Sequence, residues 1–184
     1  MQTKNSSVAY GWLAIALHWI SAIGVIWLYF SGDTAGEAAT REARAPLLAY
    51  HMSLGACFFL FLAGRVIWSF TQPKPAPLSS HKWLTPVAKA VQHLFLAMIA
   101  VMIISGPLAA LSTANPIKVF DWFAIPSPFA ERNQSVHKIA ETVHGLTKNL
   151  FWPLLILHVL GAAKSLVINK DRTVQRMLWV RKEN

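Results

Sequence analysis

Seven histidines punctuate a chain dominated by apolar side chains. Two of them, His144 and His158, bracket the stretch HGLTKNLFWPLLILH and lie fourteen residues apart. On an α-helix fourteen steps of about 100° return to within about 40° of the starting direction, so both rings face one side. The rise between them is about 21 Å, over half of a ~30 Å hydrocarbon core. Histidine inside a membrane span is costly and marks function by default. Imidazole is a ligand for iron, and two iron porphyrins stacked across a bilayer would use one such ring in each leaflet.

The elements that must position these rings follow from composition. The chain has 184 residues, 54% hydrophobic and only 14% charged, with a mean hydropathy of +0.41. Soluble domains carry about 25% charged residues, so this is the composition of a membrane protein. Four apolar segments, near 8–30, 46–70, 89–111 and 138–168, are each long enough to span at about 1.5 Å per residue. They do not alternate as barrel strands do. The expected fold is all-α: one integral-membrane domain over 1–184, a transmembrane four-helix bundle with a basic tail at 169–184. QPKPAPLSS reads as a short stiff turn between spans two and three, and no internal repeat is visible. The single cysteine, Cys57, allows no disulfide, no CxxC and no c-type heme attachment. The first apolar run is long enough to stay as a span rather than a cleaved leader.

Orientation follows from Lys and Arg near the spans. Arg41, Arg44, Lys118, Arg132, Lys138 and Lys148 fall on one side, and the other 11 of the 17 on the side of both termini. The positive-inside rule then puts both termini in the cytoplasm. Trp12, Trp68, Trp83 and Trp179 flank the inner boundary, and Trp27 and Trp122 lie toward the outer one. The net charge of +9 is spread over loops and tails, which indicates lipid contact rather than nucleic acid. The tail RTVQRMLWVRKEN is a basic amphipathic stretch expected on the inner surface. The segment PIKVFDWFAIPSPF (116–129) is too short and proline-broken to span; it reads equally as an outer lid or as a loop on lipid.

Depth then sorts the histidines. His18 falls in the inner part of span one, His51 near the outer start of span two, His144 in the outer part of span four and His158 in its inner part. Axial ligation needs two imidazoles from different helices at one depth. Only His51 with His144, and His18 with His158, meet that condition. Small residues at one-turn spacing (Ala14 and Ala22, Gly55, Gly161 and Ala162) give flat macrocycles bare backbone, although small residues also serve ordinary membrane helix packing. His93, near the inner start of span three, is a rival ligand or an interfacial or quinone-site residue. His81 and His137 are expected at the surface. A zinc site is disfavoured, because no HExxH and no close Cys/His cluster is present. Arg65, fourteen residues after His51, is a candidate partner for an inner-heme propionate. Lys148, one turn past His144, is a candidate for the outer heme or a bound anion; snorkelling to headgroups is the competing reading for both. Gly106-Pro107 and Pro153 are expected to bend spans three and four.

The stretches YGWLAIALHWISAIG, HMSLGACFFLFLAGRVIW, HLFLAMIAVMIISG, NPIKVFDWF, VHGLTKNLFWPLLILH and NKDRTVQRML resemble the bacterial cytochrome b561 family, across nearly the whole chain. The resemblance implies two b-type hemes with axial ligands at His18, His51, His144 and His158, and electron exchange with quinone. It also implies a possible superoxide:quinone oxidoreductase, since one family member resembles a superoxide oxidase. Against strong steering of superoxide, the first outer loop sets Arg41 and Arg44 against Asp33, Glu37 and Glu42, and the third is balanced. The leading expectation is a membrane electron carrier. The alternatives are that oxidoreductase and an anchor subunit for a periplasmic redox partner. No residue looks like a nucleophile or general base.

Overall fold

The computed structural model describes residues 2–78 and 84–179. His81, Lys82 and Trp83, and Arg181 and Lys182 of the tail, lie outside the described residues. Five helices carry the fold: α1 (Trp12–Gly36), α2 (Arg41–Thr71), α3 (Leu84–Leu111), α4 (Gln134–Lys148) and α5 (Phe151–Lys164). A two-stranded ribbon, β1 (Ile117–Val119) and β2 (Phe123–Ile125), lies between α3 and α4. Four helical stretches are long and apolar enough to cross a membrane: α1, α2, most of α3, and Gln134–Asn169, which contains α4 and α5.

Each boundary has a local cause. The α1 sequence carries no charge until Asp33, so nothing interrupts it inside the hydrocarbon. The Thr40 side chain caps α2 by accepting from the Ala43 amide at 3.2 Å, and Glu42 adds a favourable charge to that first turn. Asn133 caps α4 in the same way, accepting from Val136 at 3.1 Å. The helices α2 and α3 begin earlier than the apolar runs at 46 and 89, because their polar first turns extend beyond the apolar zone.

The fourth span is not the one continuous helix that the histidine spacing suggested. Pro153 has no N–H for the Asn149 carbonyl, and its ring crowds that carbonyl. The chain therefore turns at Asn149 and Leu150, and α5 restarts at Phe151 with Pro153 in its first turn. By contrast, α3 continues through Pro107.

The helices pack as two hairpins, α1 with α2 and α3 with α4, which meet along α2–α3 and α3–α5. Leu62, Met98, Ile99, Phe151 and Leu154 form a buried core where α2, α3 and α5 converge. Outward-facing Ile23, Leu60, Ile104, Leu160 and Val167 are more than half exposed, as befits a lipid-facing surface.

The two ends of the bundle are closed differently. At the ribbon end, β1 pairs antiparallel with β2, with Val119 opposite Phe123. Buried Ser53 on α2 pins this ribbon: its hydroxyl proton is shared between the Ala49 carbonyl at 2.9 Å and the Lys118 carbonyl at 3.0 Å, and its oxygen accepts from the Phe120 amide at 2.9 Å. Trp122 stays 73% exposed at the tip. At the terminal end, Asn5 donates to the Pro73 carbonyl and Ala76 to the Ser7 carbonyl. The tail does not run on as a surface helix within the described residues. A widened turn (Ser165–Asn169) ends at Lys170, in the left-handed region with φ 51°. Asp171 accepts from Ser165 and from the Thr173 amide, folding the tail back. Trp19 then donates to the Met177 carbonyl at 2.6 Å, and Arg176 to the Ala76 carbonyl at 2.8 Å.

Candidate functional site

The structure brings together the two histidine pairs that depth selected. His51 on α2 and His144 on α4 have ring centroids 6.3 Å apart. His18 on α1 and His158 on α5 are 6.2 Å apart. All four rings are half-buried, and each pair joins one hairpin to the other. Because Ser31 of α1 touches His51, the two pairs are separated along α1 by the thirteen residues from His18 to Ser31, about 20 Å of helix.

Those separations test the fit of a metal group. A metal–imidazole bond is about 2 Å and a ring nitrogen lies about 1.1 Å from its centroid, so two imidazoles trans on one ion stand about 6.2 Å apart. Both pairs match. Among the described residues no group of three or more His, Cys, Asp or Glu side chains gathers elsewhere. Two ligands are too few for a bare ion, but they complete an iron already held by the four nitrogens of a planar macrocycle.

The ribbon-end pair has a matched supporting frame. The Ser31 hydroxyl reaches the Leu28 carbonyl at 3.2 Å; with its single proton directed there, the 3.0 Å bond with His51 is Nδ1–H donating to Oγ. Ser105 donates to the Val101 carbonyl at 2.7 Å and accepts from His144 Nδ1 at 3.1 Å. In that arrangement both rings carry the proton on Nδ1, which would leave each Nε2 lone pair free for a metal. Beside each serine stands a glycine. A Cβ added at Gly32 would lie 2.9 Å from His51 Cε1, and one at Gly106 would lie 3.0 Å from His144 Cε1. The same pair of residues, Ser-Gly, therefore seats one histidine from α1 and the other from α3.

The terminal-end pair is seated otherwise. Trp19 meets His18 edge-on at 5.3 Å, and Phe95 meets His158 at 5.6 Å. Half-buried Arg65, fourteen residues past His51 on α2, lies at about this level. Between the two levels, Phe58 lies midway from His51 to Arg65 and packs on Gly24, while Phe151 lies midway from His144 to His158 and stacks on Tyr29 at 4.7 Å.

Other sequence candidates fall as follows. Lys148 has a protein partner: its Nζ donates to Asp33 Oδ1 at 2.7 Å, tying α4 to α1. His93 is exposed and its Nε2 accepts from Lys74 at 3.0 Å, apart from the His18–His158 pair. His137, expected at the surface, is half-buried and donates from Nδ1 to the Ala109 carbonyl at 2.8 Å, locking α4 to the end of α3. Sequence reasoning missed Ser31, Gly32, Ser105 and Gly106. A signal was present: Ser-Gly occurs in the outer third of both span one and span three.

Four apolar spans with two histidine pairs at separate depths define the class: a multi-pass helical membrane protein. The sequence profile of prokaryotic cytochrome b561 matches residues 9–179. The chain is 32% identical to cytochrome b561 homolog 2 of Escherichia coli (strain K12), over 97% of this chain and 95% of that one. It belongs to the prokaryotic cytochrome b561 family and is a membrane electron-transfer protein, of a family that carries b-type heme.

Proposed function

We propose that this chain carries electrons across the bacterial inner membrane between two b-type hemes, one held by His51 and His144 and the other by His18 and His158. The observation that carries the reading is the pair of ring separations, 6.3 and 6.2 Å, each the span of one bis-imidazole metal. When bound, heme supplies reversible one-electron chemistry. The chain's own residues hold and orient it. Ser31 and Ser105 fix two imidazoles in the ligating tautomer, Gly32 and Gly106 leave those rings room, and the Leu62–Phe151 core keeps water from the middle of the bundle.

In this reading the termini face the cytoplasm, in keeping with the Lys/Arg distribution. Arg65 is a propionate partner at the terminal end; it has no hydrogen-bond or ion-pair partner among the described residues. Quinone is the exchange partner, and lipid surrounds the exposed apolar faces. Superoxide oxidation is not adopted: Lys148, the cation nearest the ribbon-end pair in sequence, is already paired with Asp33.

The test is a reduced-minus-oxidised spectrum with pyridine hemochrome quantification, on the purified protein and on His51→Ala and His158→Ala. Two b hemes per chain, with one lost or turned high-spin in each variant, support the reading. No heme, or one indifferent to both substitutions, refutes it.

A further inference from the structure

The two histidine pairs have opposite electrostatic surroundings. At the ribbon end each ring nitrogen Nδ1 is hydrogen-bonded to a serine hydroxyl, at 3.0 Å for His51 and 3.1 Å for His144, and with each serine proton directed to its own helix carbonyl the ring N–H is the donor. Such a bond draws the proton off the ring and makes the imidazole a stronger electron donor to its metal, which favours the oxidised metal. Charge at this end is compensated. Lys148 sits 2.7 Å from Asp33, and Glu37 also lies within electrostatic reach of it.

At the terminal end both features reverse. Among the described residues neither His18 nor His158 has a hydrogen-bond partner on its ring; their neighbours are the edges and faces of Trp19 and Phe95. Arg65 lies fourteen residues, about 21 Å of helix, past His51 on α2 and so at about the level of this pair; it is half-buried and has no carboxylate partner among the described residues. A poorly solvated cation favours whichever state of its neighbour holds one more electron. Weaker ligand donation and the guanidinium therefore push the same way.

We infer that the His18–His158 site has the higher midpoint potential of the two, so that an electron shared between the sites settles at the terminal end. The inference rests on the two-heme reading above. With both hemes bound the exchange would balance within the chain: one electron would leave the site of His51 and His144 and arrive at that of His18 and His158, with no bond made or broken. Ser31 and Ser105 act here as positioning residues, since they touch the ligands rather than the metal. With the termini in the cytoplasm, the downhill direction runs from the outer face inward.

The ring planes provide an independent label for each site. They stand at 80° in the His51–His144 pair and 50° in the His18–His158 pair. Near-perpendicular imidazoles leave two iron d orbitals nearly equal in energy, so the ribbon-end ferric signal is the more anisotropic by electron paramagnetic resonance. The experiment is a redox titration of the full-length holoprotein, followed by absorbance and by that resonance.

On reduction, the less anisotropic signal should disappear first. Ser31→Ala and Ser105→Ala should each raise only the lower wave, changing the electron-sharing equilibrium about two- to tenfold, the size of one hydrogen bond's net contribution. Ser31→Thr and Ser105→Thr, which keep the hydroxyl, should restore it. Arg65→Gln should lower only the upper wave. If that variant loses its heme, the order of the two signals and the serine variants still decide. A more anisotropic signal that is reduced first, or serine variants that move the upper wave or neither, overturns the inference. Heme quantification separates the two claims: fewer than two hemes per chain refutes the reading beneath, whereas two hemes in the reverse order refute this inference alone.

Discussion

Replacing Gly32 or Gly106 by alanine asks how tightly the ribbon-end imidazoles are seated. The new Cβ would lie 2.9 Å from His51 Cε1 at the first position and 3.0 Å from His144 Cε1 at the second. Carbon atoms rest at about 3.5–4.0 Å, so each ring must retreat by about 0.5–1 Å. It has little room to do so. Its Nδ1 is bonded at 3.0 or 3.1 Å, so a retreat of that size would carry the bond past the ~3.2 Å limit, and a metal ligand tolerates only about 0.2 Å. The strain falls in the overpacking range of about 1–3 kcal/mol, which is about 5- to 150-fold weaker retention of heme. The assay is transfer of heme to an excess of apo-globin from the detergent-purified protein, followed by absorbance. Gly36→Ala and Gly145→Ala lie in the same helices, α1 and α4, as Ser31 and His144, and their new Cβ would meet nothing within 4 Å. They should hold heme as well as the parent, with a small gain in helix stability. If Gly32→Ala and Gly106→Ala release heme no faster than these controls, the seating argument is wrong.

Two further outcomes test the closures at the ends. Ser53→Ala strips the ribbon of the group that donates to Lys118 and accepts from Phe120, whose φ of 48° is a costly conformation for a side-chain-bearing residue. Leaving those backbone groups unpaired costs about 1–3 kcal/mol, so amides in 117–125 should exchange about 5- to 150-fold faster while the spans stay protected; unchanged exchange there counts against Ser53 as the pin. For Asp171, burial works against the charge, but bonds from Ser165, Thr173 and Asn169 outweigh it and hold the carboxyl below its ordinary value. A depressed carboxylate stabilises the fold above its unfolded value, about 3.9, and loses that contribution as pH falls through the lower folded value. Protection of the Thr173 amide should therefore fall across that acid window and stay flat in Asp171→Asn; a wild-type profile as flat as the variant's contradicts the assignment.

The pairing of histidines was legible because depth along a membrane span is one-dimensional. Span order and a count of residues from each boundary are enough to match His51 with His144 and His18 with His158. What sequence did not reveal depends on rotation about helix axes and on contacts across helices. Ser31 and Ser105 are polar residues in apolar runs and could as well have bonded only their own helix. Their second partners, His51 and His144, are 20 and 39 residues away in sequence. Asp33 was counted as loop charge, but α1 extends to Gly36 and turns it toward Lys148. The turn at Asn149 and Leu150 was half-legible: Pro153 predicts a disruption, but not whether the helix bends or stops.

No internal repeat is visible in the sequence, yet the two hairpins share a framework at one end and depart from it at the other. Each contributes a Ser-Gly pair from its first helix and a histidine from its second: Ser31-Gly32 with His51, and Ser105-Gly106 with His144. Fourteen residues beyond each of those histidines stands the terminal-end residue of the same chain direction, Arg65 in one hairpin and His158 in the other. A strict repeat would have supplied two histidines or two arginines there. His18 supplies the missing ring from α1 instead, while His93, near the corresponding start of α3, is turned outward to Lys74. The matched half pairs two hydrogen-bonded histidines, and the mismatched half pairs two histidines without ring hydrogen bonds among the described residues beside a half-buried cation. Two equivalent sites would share an electron evenly and give it no preferred direction. In the two-heme reading, the departure from symmetry at Arg65 and His158 is therefore what would give the pair of sites a polarity.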